Sequence, residues 1–277
     1  MPLKFDIVET PYGKWLLFDG PDQISNQIRR DGGFSIFEIN VCQFFLNNKQ
    51  NAAVIDVGAN LGSFTIPIAS YAQELGISVH AFEPQRLVFQ QLCANIILNA
   101  LDNVFTYNVA LGDANEMIKI PELNTSTSEN IGAFSLNEKI RKNLDLEYQR
   151  GNAFCKNYEI ARTQEFWVQK QQLDDFEIQQ DIAFVKIDVE GMELEFFQGC
   201  GNTLQAHNYP PIVFELWDRF FWYDQKAANI VNLVQDMGYI LQKYGRSIIA
   251  QHPKHQEIYN FNLKTSTIPN QNTMSPE

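Results

Sequence analysis

Val54-Ile55-Asp56-Val57-Gly58-Ala59-Asn60-Leu61-Gly62-Ser63-Phe64-Thr65 is the stretch from which the fold can be read. Residues 54–57 form a short apolar run with branched side chains. The glycines that follow allow a sharp turn, and Phe64, Ile66, Ile68, Ala69 and Ala72 continue at a spacing that suits a helix. Strand, glycine turn and helix follow one another. Gly58 and Gly62 let backbone approach a ligand more closely than a β-carbon would permit. A dinucleotide-binding turn would carry glycine where Asn60 stands, and the acid Asp56 at the strand end repels a pyrophosphate while suiting a cationic amino-acid moiety.

Working outward, residues 78–82 form a second strand, 87–99 a helix with Leu87, Gln91, Leu92, Asn95, Ile96 and Asn99 on one face, and 104–109 a third strand. Further apolar runs at 182–187 and 212–216 are followed by helical patterns at 193–198 and 226–237. Strands that alternate with helices and read as near-continuous apolar runs predict a doubly wound α/β fold, its mostly parallel sheet covered on both faces. Ligands of such sheets sit beyond the carboxyl ends of the strands, where strand order reverses. The alternation lapses between Glu116 and Leu173, where polar residues separate two possible strands, 117–120 and 165–169. We expect one domain over 1–263, with a lead-in at 1–50 and an inserted segment or substrate lid at 124–163. A disordered tail, rich in Asn, Ser and Thr, is expected at 264–277.

The 277 residues carry 33 acids against 21 Lys plus Arg, a formal charge of -12, which disfavours a nucleic-acid partner. No apolar stretch is long enough for a membrane span, and the first residues lack the character of a secretory signal, so a cytoplasmic location is expected. Cys42, Cys93, Cys155 and Cys200 are widely spaced, form no metal-binding pair and read as free thiols.

Glu83 follows the second strand by one residue, where a carboxylate can accept two hydrogen bonds from a ribose diol. With Asp56 at the neighbouring strand end, the pair fits a nucleoside carrying positive charge, as S-adenosylmethionine does. Residues 54–65, Ala81-Phe82-Glu83-Pro84 and Phe184-Val185-Lys186-Ile187-Asp188-Val189-Glu190-Gly191-Met192-Glu193 closely resemble the FkbM family of S-adenosylmethionine-dependent methyltransferases. Gln172-Leu173-Asp174-Asp175-Phe176 and the lead-in from Asp31-Gly32-Gly33 to Glu38 are similar to further family segments, so the resemblance runs from about Ile28 to Tyr244. It implies a Rossmann-like class I methyltransferase fold with a seven-stranded sheet, the sixth strand at 239–244 and an antiparallel last strand at 247–263. It also implies that Asp56, Gly58, Ala59, Asn60 and Gly62 hold the methionine part of the cofactor, that Glu83 holds the ribose, and that Ala110, Leu111 and Asp113 flank the adenine.

Asp188, Glu190 and Glu215 stand at or near the ends of two later strands and are the candidate catalytic acids, one of them serving as base toward an acceptor hydroxyl. Lys186 shares a face with Asp188 and reads as its counter-ion, and no metal site is expected. His80, His207, His252 and His255 are secondary candidates for a base, and Trp217 with Phe220, Phe221, Trp222 and Tyr223 for an aromatic wall. The expected activity is O-methylation of a small molecule or saccharide. N-methylation, a nicotinamide-dependent oxidoreductase and a cofactor-binding protein without catalysis are the alternatives.

Overall fold

The computed structural model describes residues 4–152, 160–217, 220–255 and 257–261, without the side chains of 160–164. A hairpin of β1 (Phe5–Thr10) and β2 (Gly13–Phe18) leads into helices α1 (Gln23–Asp31) and α2 (Ile36–Leu46). The quoted stretch becomes β3 (Ala52–Val57) and α3 (Thr65–Ala72), followed by β4 (Ser78–Phe82), α4 (Arg86–Leu98) and β5 (Val104–Tyr107). The middle of the chain holds β6 (Val109–Leu111), β7 (Glu116–Leu123), α5 (Glu138–Gln149) and β8 (Ile160–Gln171). Then come β9 (Asp181–Ile187), α6 (Glu193–Gln198), α7 (Gly201–Ala206), β10 (Ile212–Glu215), α8 (Asp224–Asp236), β11 (Ile240–Tyr244) and β12 (Ser247–Gln251).

Seven strands form the central sheet in the order β11-β12-β10-β9-β3-β4-β5. The five strands from β10 to β5 run parallel, and β12 is antiparallel to both its neighbours. Every residue of β3 and β4 is buried, because helices cover both faces. Ala52 and Val54 enter the core under α2 and α3, whereas Ala53, Ile55 and Val57 enter the opposite core with Phe196, Phe197 and Phe214. After β3 the strands build outward one way through β4 and β5. After β9 they build the other way. The reversal lies between the carboxyl ends of β3 and β9, where the sequence predicts the ligand.

Three elements depart from expectation. The run 104–109 is not one strand: it breaks at Asn108, whose amide donates to the carbonyls of Glu83 and Pro84, and the chain beyond it enters a separate sheet ordered β6-β8-β7. In that sheet 117–120 and 165–169 grow into β7 and β8, paired antiparallel, and the polar span between them contains α5. The last strand ends at Gln251 rather than near 263, because the chain turns at Pro253 and folds back, Gln251 pairing its side-chain amide with the backbone of Tyr259 at 2.7 and 2.9 Å. The expected tail and Cys155 lie outside the described residues, while Cys42, Cys93 and Cys200 are free. Among the described residues no helix is long and apolar enough to cross a membrane.

Candidate active site

A cavity of about 680 Å³ opens over the strand reversal. Its floor begins at Gly58, which adopts φ +76° and has no room for a side chain, since a β-carbon there would lie 1.9 Å from the carbonyl oxygen of Asp188. Gly58 and Ala59 both donate backbone N–H bonds to Phe82 O at 3.0 Å, which folds the loop across the end of β4. Asn60, itself left-handed at φ 53°, then donates its N–H to Glu83 Oε2 at 2.9 Å, and Gln85 N donates to Glu83 Oε1 at 2.8 Å. The loop and the acid are thus in direct contact. Burial pushes the Glu83 carboxyl up to about 7, against the opposing pull of the two N–H donors and Lys186.

Asp188, Glu190 and Glu215 converge on the same cavity, joined by Glu38 from α2 and by Arg246, which stands 3.1 Å from Glu215 Oε1. Burial first, and then Asp188, Glu215 and Glu193, hold the Glu190 carboxyl well above the ordinary carboxylate range, while Arg246 opposes them. Lys186 lies beneath this cluster. Its ammonium is 3.1 Å from Asp56 and 3.7 Å from Asp188, and it donates to Gly58 O at 3.0 Å. Burial alone would depress its proton affinity, but the two acids outweigh burial and raise it.

Not every predicted residue reaches the cavity. Gly58, Asn60, Glu83, Ala110 and Leu111 line it with the three later acids, whereas Asp56, Ala59, Gly62 and Asp113 do not. Asp56 is fully buried, accepting from Thr65 Oγ1 at 2.5 Å and paired with Lys186, so its charge is spent inside the protein. Ala59 is buried, and Gly62 lets α3 approach α4, since a β-carbon would meet Leu92 at 2.9 Å. Asp113 binds Lys170 at 2.7 Å on the surface. The four histidines are also elsewhere: His80 is bonded to Tyr107, and His207 accepts from Ile182 N. Of the aromatic cluster only Trp217 faces the cavity. Phe220, Trp222 and Tyr223 pack on one another, and Phe221 is exposed. Among the described residues no three of His, Cys, Asp or Glu are arranged to hold a metal ion.

Two outer walls complete the cavity. One is the stretch from Phe34 to Glu38 at the start of α2, whose place here nothing in the sequence signals, and the other is the loop from Asn130 to Phe134, inside the segment expected as an insertion or lid. That loop is pinned by Asp22, whose carboxylate accepts from Ser25 N at 2.9 Å and from Ile131 N at 3.0 Å, while Gln23 N donates to Glu129 O at 2.7 Å. Gly132 sits so close to Asn60 that a β-carbon would lie 2.6 Å from its side-chain nitrogen. Arg246 could have been found, because the turn before an antiparallel last strand must lie at the carboxyl ends of the parallel strands.

The FkbM methyltransferase domain matches residues 56–241. A tRNA(Phe) (4-demethylwyosine(37)-C(7)) aminocarboxypropyltransferase of Methanocaldococcus jannaschii is 42% identical over 60 residues, which are 22% of this chain and 23% of that protein. Among solved structures, a methyltransferase FkbM from Methylobacillus flagellatus aligns at 15% identity and TM-score 0.44, over 73% of this chain and 44% of its own. A SAM-dependent O-methyltransferase from Thermotoga maritima aligns at 11% identity and TM-score 0.45, over 89% and 77%. The matched span takes in the Gly58 turn, Glu83, the Asp188–Glu190 segment and Glu215, and by it the chain belongs to the FkbM methyltransferase family.

Proposed function

We propose that this protein transfers a methyl group from S-adenosylmethionine to a hydroxyl of a small molecule or saccharide. The observation that carries the reading is that a single cavity joins the Asn60–Glu83 contact to the acids Asp188, Glu190 and Glu215. The residues present fit the cofactor. Each Glu83 oxygen accepts one backbone N–H and keeps a lone pair for a ribose hydroxyl. The buried side-chain nitrogen of Gln85, on the same wall, has no hydrogen-bond partner among the described residues, and a nucleoside offers it an acceptor. Backbone at Gly58 and Asn60 would hold the methionine part, and Ala110 and Leu111 would flank the adenine. Asp56 acts at one remove, by holding Lys186 and through it the carbonyl of Gly58.

When bound, the cofactor supplies a methyl group already activated by its sulfonium. The protein's own task is to orient the acceptor, exclude water and take up the hydroxyl proton. Glu190 is our candidate for that proton, because a carboxyl with raised proton affinity is a stronger base than an ordinary one, with Asp188 as its alternate. Phe34, Phe134 and Trp217 provide apolar wall around the acids. Asn130 to Phe134, within the inserted segment, form an outer wall that would cover a bound acceptor. A cavity lined by five acids, Glu38, Glu83, Asp188, Glu190 and Glu215, against Lys186 and Arg246, disfavours phosphorylated acceptors. The same charge would welcome an amine, which makes N-methylation the second reading.

The test incubates the purified protein and isotopically labelled S-adenosylmethionine with a metabolite and glycan extract, and follows label by mass spectrometry. A methyl ether product is expected, whereas a methylated amine would establish the second reading. Calorimetric titration with S-adenosylhomocysteine and with NAD accompanies it, and binding of NAD alone would refute the proposal.

A further inference from the structure

Glu190 is not a glycine, yet its backbone lies at φ 51°, a conformation that L residues avoid. Such a residue persists only where its surroundings overdetermine it. The surroundings here are unusual in that Gly191 is gripped through both of its backbone groups by two fully buried side chains. Gly191 N donates to Glu193 Oε1 at 3.2 Å, and Gly191 O accepts from the hydroxyl of Tyr223 at 3.3 Å. The two grips are themselves joined, the single hydroxyl proton of Tyr223 being shared between Gly191 O and Glu193 Oε2, the latter at 3.0 Å. Both Glu193 and Tyr223 are 1% exposed, so neither is present for solvent. Gly191 adopts φ +91° and has no slack, for a β-carbon on it would meet Ile140 Cδ1 at 2.8 Å and Trp217 at 3.6 Å.

A helix-capping role explains only half of this. Glu193 opens α6 and reaches back to a free N–H, as capping acids do. Tyr223 stands immediately before α8, and its hydroxyl crosses to the other side of the same glycine, where no helix end needs it. We propose that Glu193 and Tyr223 are positioning residues, which clamp Gly191 and so hold Glu190 in the left-handed pose that turns its carboxyl onto the cavity beside Asp188 and Glu215. The assignment rests on the reading of Glu190 as the acceptor's base, and neither clamp residue lines the cavity. The groups that face the Glu190 carboxyl are Asp188, Glu215, Glu193 and Arg246.

Three substitutions separate positioning from bulk stability. Tyr223→Phe removes one oxygen and no charge. Glu193→Gln keeps the bracket, its amide oxygen accepting from Gly191 N and its amide nitrogen donating to Tyr223, whereas Glu193→Ala removes it. Affinity for S-adenosylhomocysteine, read by calorimetry, should stay within about twofold of wild type in all three, which also reports folding. Initial rates of label transfer from tritiated S-adenosylmethionine into a fixed metabolite extract, at varied cofactor, should show the maximal rate falling about tenfold or more in Tyr223→Phe and Glu193→Ala with KM nearly unchanged, and near wild-type rates in Glu193→Gln. Independently of any acceptor, carbon-13 NMR of glutamate-labelled protein, with the Glu190 signal identified by its loss in Glu190→Gln, should show its titration midpoint falling by about one pH unit in Tyr223→Phe. An unmoved midpoint together with wild-type rates in Tyr223→Phe would overturn the clamp. Failure of wild-type protein to bind S-adenosylhomocysteine would instead overturn the methyl-transfer reading and leave the NMR result to judge the clamp alone.

Discussion

Glu193 gives the sharpest test at the scale of one residue. Burial pushes its carboxyl up from the ordinary 4.5 to about 7, so the folded state holds a proton that the unfolded chain has released. An acid whose folded value is raised stabilises the fold at low pH and loses that contribution as pH climbs from 4.5 through 7. Glu193→Gln mimics the protonated form permanently. It should therefore match wild type near pH 5 and exceed it by about 2 kcal/mol near pH 8, as read by chemical denaturation at the two pH values. Equal stability at pH 8 would show that the carboxyl is not strained by its burial. Glu83→Ala should weaken S-adenosylhomocysteine by about 1.5 to 3 kcal/mol through lost charge-assisted bonds, while the fold survives. For Glu190 the base is the deprotonated form, so kcat should rise with pH through a midpoint above the ordinary carboxylate range, and Glu190→Gln should remove that limb. Strand-end acids such as Glu83 and Glu190 are legible from sequence because their positions follow directly from the strands. The burial of Asp56 is silent for a complementary reason: its cross-strand neighbour in the register of β3 and β9 is Lys186, and no reading of residues 54–65 shows that partner.

At the scale of elements, the turn after β3 is limited by the main chain just beyond β9. Gly58→Ala would drive a β-carbon against the carbonyl of Asp188, which cannot rotate away. A loss of roughly 2 to 4 kcal/mol in unfolding free energy is expected, with a parallel loss of S-adenosylhomocysteine binding. Tolerance of the substitution would mean that the two strand ends can move apart. The same contrast explains what the sequence could and could not reveal. Strands β3, β4 and β9, packed on both faces, show themselves as mostly apolar runs, interrupted by few polar residues such as Asp56, His80 and Lys186. The strands β7 and β8 sit at the surface, with Met117 and Trp167 exposed among charged neighbours, and their pattern fades into the polar segment around them. The break at Asn108 is equally silent, because it is fixed by carbonyls that become available only once β4 is in place.

The whole molecule joins remote stretches of chain over one opening. Asp22 ties the start of α1 to the inserted loop, so Asp22→Ala should remove both a helix cap and an anchor, costing about 2 kcal/mol. Hydrogen exchange should accelerate in residues 124–136 more than in β3 or β9, and uniform acceleration would argue that the loop is not separately held. This tertiary docking was beyond the sequence, which marks an insertion but not the surface it lands on.

Arg246, in the turn before the antiparallel strand β12, and Ser247, its first residue, answer Glu215 at 3.1 Å and Glu38 at 2.9 Å. The positive end of the site thus arrives last along the polypeptide, threaded between β10 and β11 after the acids it answers have been laid down. A ribosome would have released nearly every other part of the sheet before that guanidinium could take its place. Closure of this opening is in this way tied to insertion of β12 between β10 and β11, and a chain halted before Tyr244 would hold the Asn60–Glu83 contact without the guanidinium that answers Glu215.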